Sequence, residues 1–358
     1  MPAQFKRDAV LGWHQQEEGD YVFLHARGAV GSGGGAASGV RVNLDPELSR
    51  YDLGGEEGTR EEEDAALRTS LSFLEIGDEQ ALFPLFAAVW RAVLCEWAHF
   101  PAVVWVMGPS GAMKTSTTAV ALAHFGPFRE DVMPANWLDS ANRLEQKTFI
   151  AKDCLFAVDY FHPESDPGRQ RDMEEKASRL VFAVGNRQGR GRLRLNHGRL
   201  AGRRNYLPRC LVVATAERLP NLPQSDLARL FPVHFRISTI DKKRLTTFQE
   251  SVSVLPLDTR AYLRYLSTLA DGIEKEMEAR FCCLRDQAAV EGHNRLPGLV
   301  AHLYQGMEYF VNFLVERNLL KDGEADYLRR TSWGVISELA KDHERLLGGL
   351  RPDRKEVK

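Results

Sequence analysis

The sequence predicts an α/β protein: a parallel sheet with helices on its faces, a β-containing segment before it and a helical domain after it. Three observations carry that expectation. Four continuous apolar runs, 102–107, 154–158, 211–215 and 232–237, have the texture of strands buried on both faces. Helical stretches at 114–124, 142–150 and 171–184 fall between them, so strand and helix alternate as in a parallel sheet. The chain has 358 residues, 44% hydrophobic and 27% charged, which is ordinary for a globular protein with room for two or three packed units.

The first unit is expected over residues 1–66. YVFL (21–24) and VRVNL (40–44) have strand composition and flank a glycine-rich stretch from Gly28 to Gly39. That stretch holds GSGGGA, close to the dinucleotide fingerprint G-x-G-x-x-G/A. The fingerprint needs a helix directly after its glycines, aimed at a pyrophosphate, and an acid further on. A strand-like segment follows instead, so the stretch reads as a hairpin loop. Residues 52–64 carry Asp52, Glu56, Glu57, Glu61, Glu62, Glu63 and Asp64 against Arg60, and read as a solvated linking loop.

A second unit is expected over 67–240. Leu67 to Trp97 reads as helical, with Asp78 as a candidate N-cap and an apolar face over 82–94. The alternating strands and helices follow. From 241 to 358 the texture changes to long helices, expected to pack on the core as a lid or collar. There the stripe Leu303, Met307, Phe310, Leu314 and the run Phe281-Cys282-Cys283 read as core. His293, His302 and His343 lack paired ligand spacing, and 353–358 reads as a frayed polar tail.

Composition excludes several classes. A net charge of −2 gives no overall basic field. Five cysteines, Cys95, Cys154, Cys210, Cys282 and Cys283, follow no metal-ligand spacing and argue against a disulfide scaffold or a zinc site. The start lacks the apolar stretch of a signal peptide, and no run approaches the ~18 apolar residues of a membrane span. The expected setting is cytoplasmic, with no membrane partner.

The chemistry is expected at the strand ends. The first run leads into Gly108-Pro109-Ser110-Gly111-Ala112-Met113-Lys114-Thr115, then Ser116. A P-loop is G-x-x-x-x-G-K-S/T between strand and helix: its amides wrap phosphates, its Lys reaches the β and γ phosphates, and its hydroxyl binds Mg²⁺. Met113 replaces the second glycine and is tolerable if that position keeps ordinary helical angles. The second run ends in Asp159, a candidate to hold Mg²⁺ with Thr115. An acid that polarises the attacking water often comes next, but here Tyr160 does; Glu164, Asp166 and Glu145 stand as alternatives. Thr215, ending the third run ahead of Glu217, is a candidate to sense the γ-phosphate or orient water, or is a plain strand-end hydroxyl. Arg229 precedes the fourth run and is a candidate to act on a neighbour's nucleotide, or is a surface salt bridge. ATP and Mg²⁺ are the cofactors this pattern implies.

Residues 177–216 hold no acid and nine arginines, Arg179, Arg187, Arg190, Arg192, Arg194, Arg199, Arg203, Arg204 and Arg209. That window is +9 and, against a net −2, the remainder is −11. Arg192 and Arg194 have strand spacing, so a basic hairpin is expected. Arg187, Arg190, Arg192, Arg194, Arg203 and Arg204 are its candidates for a phosphate backbone, with Tyr206 as a base-stacking candidate. Subunit contact and a solvated loop are the competing readings.

GPSGAMKTSTTAVALAHFG, NWLDSANRLE, AKDCLFAVDYF, VGNRQGRGRLR and SDLARLFPVHF, in that order, resemble one P-loop family known as a domain of unknown function. It occurs in plasmids, phages and integrative elements, often beside primase–polymerase domains, and its members are described as helicase-like replication ATPases. Gly12-Trp13, YVFLH (21–25) and VRVNL (40–44) resemble its N-terminal segment, so the likeness spans about residues 10 to 345. It implies an AAA+/superfamily-3-helicase-like core. It also implies a homo-oligomeric ring, a hexamer, on single-stranded DNA, with Arg229 and also Arg190 acting from a neighbour. A primase–polymerase is an implied partner. The family often has a non-glycine residue before the P-loop Lys, as at Met113, but commonly has two acids where this chain has Asp159-Tyr160. The reading is therefore an ATP-dependent DNA-acting motor in replication of a mobile element. The alternative is a nucleotide-gated assembly protein with little hydrolysis; a small-molecule kinase lacks an evident acceptor site.

Overall fold

The computed structural model describes residues 10–16, 20–31, 42, 44–55, 58–187, 192–196, 199–203, 206–290 and 292–349, with 192–196 and 199–203 described by backbone alone. Strands β1 (Gly12–Gln15), β2 (Tyr21–His25) and β3 (Gly28–Gly31) form an antiparallel sheet in that order. Trp13 anchors it to the body of the molecule. Its indole donates to Val93 O at 2.8 Å and its amide to Asp153 Oδ2 at 2.9 Å. The first residues of the glycine-rich stretch are therefore strand β3 and not loop, because Val22 to His25 offer them a partner edge. Of VRVNL, Val42 and Leu44 are described and neither lies in a strand. The GSGGGA run beyond Gly31 lies outside the described residues.

The acidic stretch is corrected as well. Helix α1 (Arg60–Ser72) begins inside it, opened by a capping box in which Thr59 Oγ1 accepts from Glu62 N and Glu62 Oε2 accepts from Thr59 N. Glu61, Glu62 and Glu63 sit in the first turn, where the helix dipole favours negative charge. Glu63 is buried and accepts from Arg264 and from Arg317, the latter at 2.8 Å. Asp78 does cap the next helix, α2 (Glu79–Ala92), by its extended backbone, but its carboxylate makes no hydrogen bond to the helix. The expected single helix over 67–97 is thus broken at 73–78.

The central sheet is built from β4 (Val103–Met107), β5 (Ala135–Asn136), β6 (Leu155–Phe161), β9 (Leu211–Ala216) and β10 (Leu230–His234). Every pair is parallel and the spatial order is β10-β4-β9-β6-β5. Helices α3 (Lys114–Leu122), α4 (Ala141–Ile150), α5 (Pro167–Asn186) and the short α6 (Gln224–Leu227) connect the strands. Between α5 and β9 an antiparallel ribbon, β7 (Arg192–Asn196) with β8 (Arg199–Arg203), forms a separate two-stranded sheet. Leu155 to Val158 and Leu211 to Ala214 are fully buried, which is why they read as unbroken apolar runs.

Four helices follow: α7 (Lys242–Ser251), α8 (Leu255–Gln287), α9 (Leu296–Glu316) and α10 (Asp322–Gly349). Leu303, Met307, Phe310 and Leu314 of α9 are all 0% exposed, and α9 lies against α2. There Phe310 stacks on Trp90 with ring centroids 3.7 Å apart. Gly306 permits the approach: a Cβ at that position would sit 2.4 Å from Ala87 O. Helix α10 packs on α9, α2 and β10, and α8 packs on α1 and α9, so one continuous core runs from Leu11 to Leu347. The run at 281–283 is corrected in part. Phe281 is partly buried, but Cys282 and Cys283 are exposed, because the helical period turns them outward while Leu284 turns in. Among the described residues no helix is long and apolar enough to cross a membrane.

Candidate functional site: a phosphate cradle at the carboxyl edge of the sheet

Strand β4 ends at Met107 and the chain passes through Gly108 to Met113 into α3. Gly108 lies so close to the next strand's continuation that a Cβ would meet Phe235 O at 2.0 Å. Gly111 has φ +80° and Met113 φ +62°, ψ +23°. Met113 therefore does not keep ordinary helical angles, contrary to the expectation. A left-handed residue at this point closes the loop onto the helix start, and a non-glycine residue there costs roughly 1 kcal/mol. Met113 O accepts from Thr117 N at 2.9 Å and from Thr117 Oγ1 at 2.7 Å, which starts α3 directly at Lys114. Ala112 is buried beneath the turn, while Pro109 and Ser110 are exposed on it.

Lys114 folds back into this loop. Its Nζ donates to Gly108 O and Pro109 O, both at 2.8 Å. Burial pulls its pKa below the ordinary lysine value, with the charges of Glu217 and Asp159 acting in the opposite direction. Thr115 Oγ1 donates to Asp159 Oδ1 at 2.9 Å, and Thr215 Oγ1 donates to the same oxygen. Thr215 Oγ1 also accepts from the Tyr160 amide at 3.2 Å. The parallel register explains the meeting: β6 and β9 are neighbours and both run toward the β4–α3 loop. Two hydroxyls and a carboxylate converging on one point form a hard-oxygen donor set, and Thr115 with Asp159 fits Mg²⁺.

A cavity of about 310 Å³ opens over these groups. Besides the loop it is lined by Asp159, Thr215, Glu130, Tyr160, His162 and Glu217. Of these, sequence reading missed Glu130 and His162 and gave Glu217 no role. Glu130 enters because Ser116 Oγ donates to its Oε2 at 2.7 Å, a contact made by a loop with no motif of its own. Glu217 carried a signal, since it stands two residues past Thr215 at the same strand end. The three acids proposed for the Tyr160 position are elsewhere. Glu145 pairs with Arg179 at 2.9 Å, Asp166 caps α5 by accepting from Arg169 N at 2.8 Å, and Glu164 pairs with His162 at 3.2 Å. None of them lines the cavity. Tyr160 itself is turned outward, 57% exposed, with its ring against His162.

Arg229 is not brought to the cradle. It stands at the opposite, amino-terminal end of β10, where its carbonyl accepts from Val103 N. Its guanidinium donates to Asp226 Oδ1 at 3.0 Å and Asn186 Oδ1 at 2.9 Å, and also to Ser225 O. Only 8% of the residue is exposed. Of the two readings of Arg229, the structure shows the ion pair, buried and not on the surface: Gly185 leaves the space into which the side chain folds, and its partners hold it inside its own chain. Within the basic window Arg209 is also engaged, its guanidinium 3.8 Å from the Phe149 ring centroid, and Tyr206 packs on the same ring. Arg187 ends α5 in the left-handed region and is exposed. The ribbon backbone sets Arg192 opposite Arg203 and Arg194 opposite Ala201. Arg190 and Arg204, and the side chains of Arg192, Arg194, Arg199 and Arg203, lie outside the described residues.

No family model matches the chain, and no curated protein does. Among solved structures it is similar to one described as "SCCmec type IV Cch - active helicase", at TM-score 0.58 and 14% identity. That alignment covers 94% of this chain and 60% of the other, so the chain spans about 60% of that helicase's length. Two inhibitor-bound structures of JCV helicase align more loosely, at TM-scores 0.33 and 0.32. They cover 73% and 61% of this chain at 14% and 15% identity. The fold is thus a P-loop NTPase core with a parallel sheet, an N-terminal β-containing extension and a helical C-terminal part.

Proposed function

We propose that the chain is an ATP-dependent motor of helicase type acting on DNA. One observation carries the reading: Lys114, Thr115, Asp159 and Thr215 converge under a loop of phosphate-cradling form at the carboxyl edge of a parallel sheet. In this reading the amides of residues 108–116 hold the phosphates. Lys114 leaves its two loop carbonyls for the β and γ oxygens. Thr115 and Asp159 hold Mg²⁺, which when bound neutralises charge on the phosphates. Thr215 keeps Asp159 turned toward that point.

The ribbon after α5 supplies the DNA contact, through Arg187, Arg190, Arg192, Arg194, Arg203 and Arg204 on the backbone of a single strand. Such contacts are independent of sequence and weaken steeply with salt. A hexameric ring, a role in replicating a mobile element and a primase–polymerase partner complete the proposal. The similarity to a helicase fold supports it, as does the nine-arginine window. Tyr160 favours a second reading, a nucleotide-gated assembly protein with negligible turnover, because no acid follows Asp159.

Steady-state ATP hydrolysis with and without single-stranded DNA, with Lys114→Ala as the blank, separates the two. The motor reading expects turnover that rises with DNA and vanishes in the variant. Turnover at the variant's level under both conditions overturns it and favours the switch.

A further inference from the structure

The site lacks an acid after Asp159, and a carboxylate from the neighbouring strand end, Glu217, lines its cavity. We propose that Glu217, at the end of β9, is the catalytic base that takes the proton from the water attacking the γ-phosphate. This rests on the nucleotide-hydrolysis reading of the cradle and names the residue that reading leaves open.

Val158 of β6 pairs with Ala214 of β9, but the next pairing is Phe161 with Ala216. Three steps on β6 match two on β9, so β6 carries one extra residue over Asp159-Tyr160. A bulge of this kind re-aims side chains next to a site. Here Tyr160 takes φ +75° and its ring leaves the sheet for solvent. The same extra residue advances β6 relative to β9, and the Glu217 amide donates to Phe161 O at 2.8 Å. Glu217 thereby stands across the strand pair from the segment that holds Tyr160, on the cavity wall.

The carboxylates around the cavity differ in what already holds them. Asp159 Oδ1 is occupied by two hydroxyls, Glu130 by Ser116, and Glu164 by His162. His162 is also committed: Nε2 faces Glu164 at 3.2 Å and Nδ1 faces Tyr160 O at 3.2 Å, so neither ring nitrogen is open to a water. Glu217 is the cavity-lining carboxylate that makes no hydrogen bond or ion pair among the described residues. Its charge also acts on Lys114, the residue that would hold the γ-phosphate.

The step balances without a further reactant. The water oxygen bonds to the γ-phosphorus as the bond from that phosphorus to the β–γ bridging oxygen breaks. ADP keeps the electron pair, the water proton passes to the Glu217 carboxylate, and solvent takes it after phosphate leaves.

The test compares wild type, Glu217→Gln, Glu130→Gln and Lys114→Ala for ATP·Mg²⁺ affinity, phosphate release, and the identity of nucleotide extracted from the protein after incubation. Removing a general base is expected to lower kcat by ~100-fold or more. Glu217→Gln should do so with ATP affinity unchanged, and the extracted nucleotide should stay ATP where wild type yields ADP. Glu217 is exposed, so the variant should keep the wild-type urea midpoint. Wild-type turnover in Glu217→Gln, with binding lost in Lys114→Ala, overturns the proposal and leaves the cradle standing. Loss of turnover in Glu130→Gln alone moves the base to Glu130. Unchanged ATP affinity in Lys114→Ala refutes the cradle itself.

Discussion

Thr215→Val tests whether the strand-end hydroxyl organises the Asp159 carboxylate, the proposed metal ligand. Valine matches threonine in shape, so no cavity opens, and only hydrogen bonding changes. Thr215 is 2% exposed and its Oγ1 serves two partners, donating to Asp159 Oδ1 and accepting from the Tyr160 amide. The first is a bond to a charged group and the second a neutral one. Asp159 keeps its bond from Thr115, and Tyr160 lies near solvent, so part of the loss is recovered. A net destabilisation of about 2 kcal/mol follows, at the low end of what the two bonds would contribute if both were fully buried. A group that holds a ligating carboxylate in place is typically worth ~10–100-fold in metal affinity. The assay is urea unfolding at neutral pH together with the Mg²⁺ dependence of ATP binding and turnover. The variant should need more Mg²⁺ for half-maximal turnover, and Thr215→Ser should restore both properties. A Thr215→Val protein with the wild-type urea midpoint and the wild-type Mg²⁺ dependence would refute the role assigned to this hydroxyl.

Two further outcomes test the fold. Burial lowers the pKa of His99 from 6.5 to about 4, and its Nε2 lies 2.6 Å from Val184 O. Because the unfolded chain takes up the proton first, His99 contributes stability that is fully present above pH 6.5 and lost as pH falls toward 4. His99→Gln can keep a donor for Val184 O but does not titrate. Wild type should therefore lose about 3 kcal/mol more than the variant over that window, and equal acid limbs in the two urea series would count against it. At Gly306 an added Cβ would lie 2.4 Å from Ala87 O and 2.6 Å from Arg91 Cβ. Gly306→Ala must push α9 off α2 and should destabilise by about 1–3 kcal/mol in urea unfolding, with an unchanged midpoint as the refuting result.

The features legible in the sequence are those whose causes are local along the chain. Residues 102–106 and 211–214 read as strands because burial on both faces leaves no polar position in them. The loop at 108–116 was legible because nine consecutive residues carry its pattern, and Asp159 and Thr215 followed because parallel neighbours end at the same edge. Strand β5, two residues long, leaves too short a pattern to notice. Residues 59–62 held a capping box, T-x-x-E, that announces a helix start. The dense charge around it pointed to a loop, because the partners of Glu63 stand 201 and 254 residues away. The two readings of Arg229 stayed open for the same reason, since Asn186 and Gly185 are remote in sequence. Tyr160 is the most instructive case. From sequence its position alone says that an acid is missing. The bulge that turns it outward comes from the relative register of β6 and β9, which composition and spacing in either strand do not encode. Once that register is known, the outward turn of Tyr160 and the bond from the Glu217 amide to Phe161 O become two effects of one extra residue in β6. Under the proposal for Glu217, the Asp159-Tyr160 pair marks the relocation of a carboxylate from one strand end to the next.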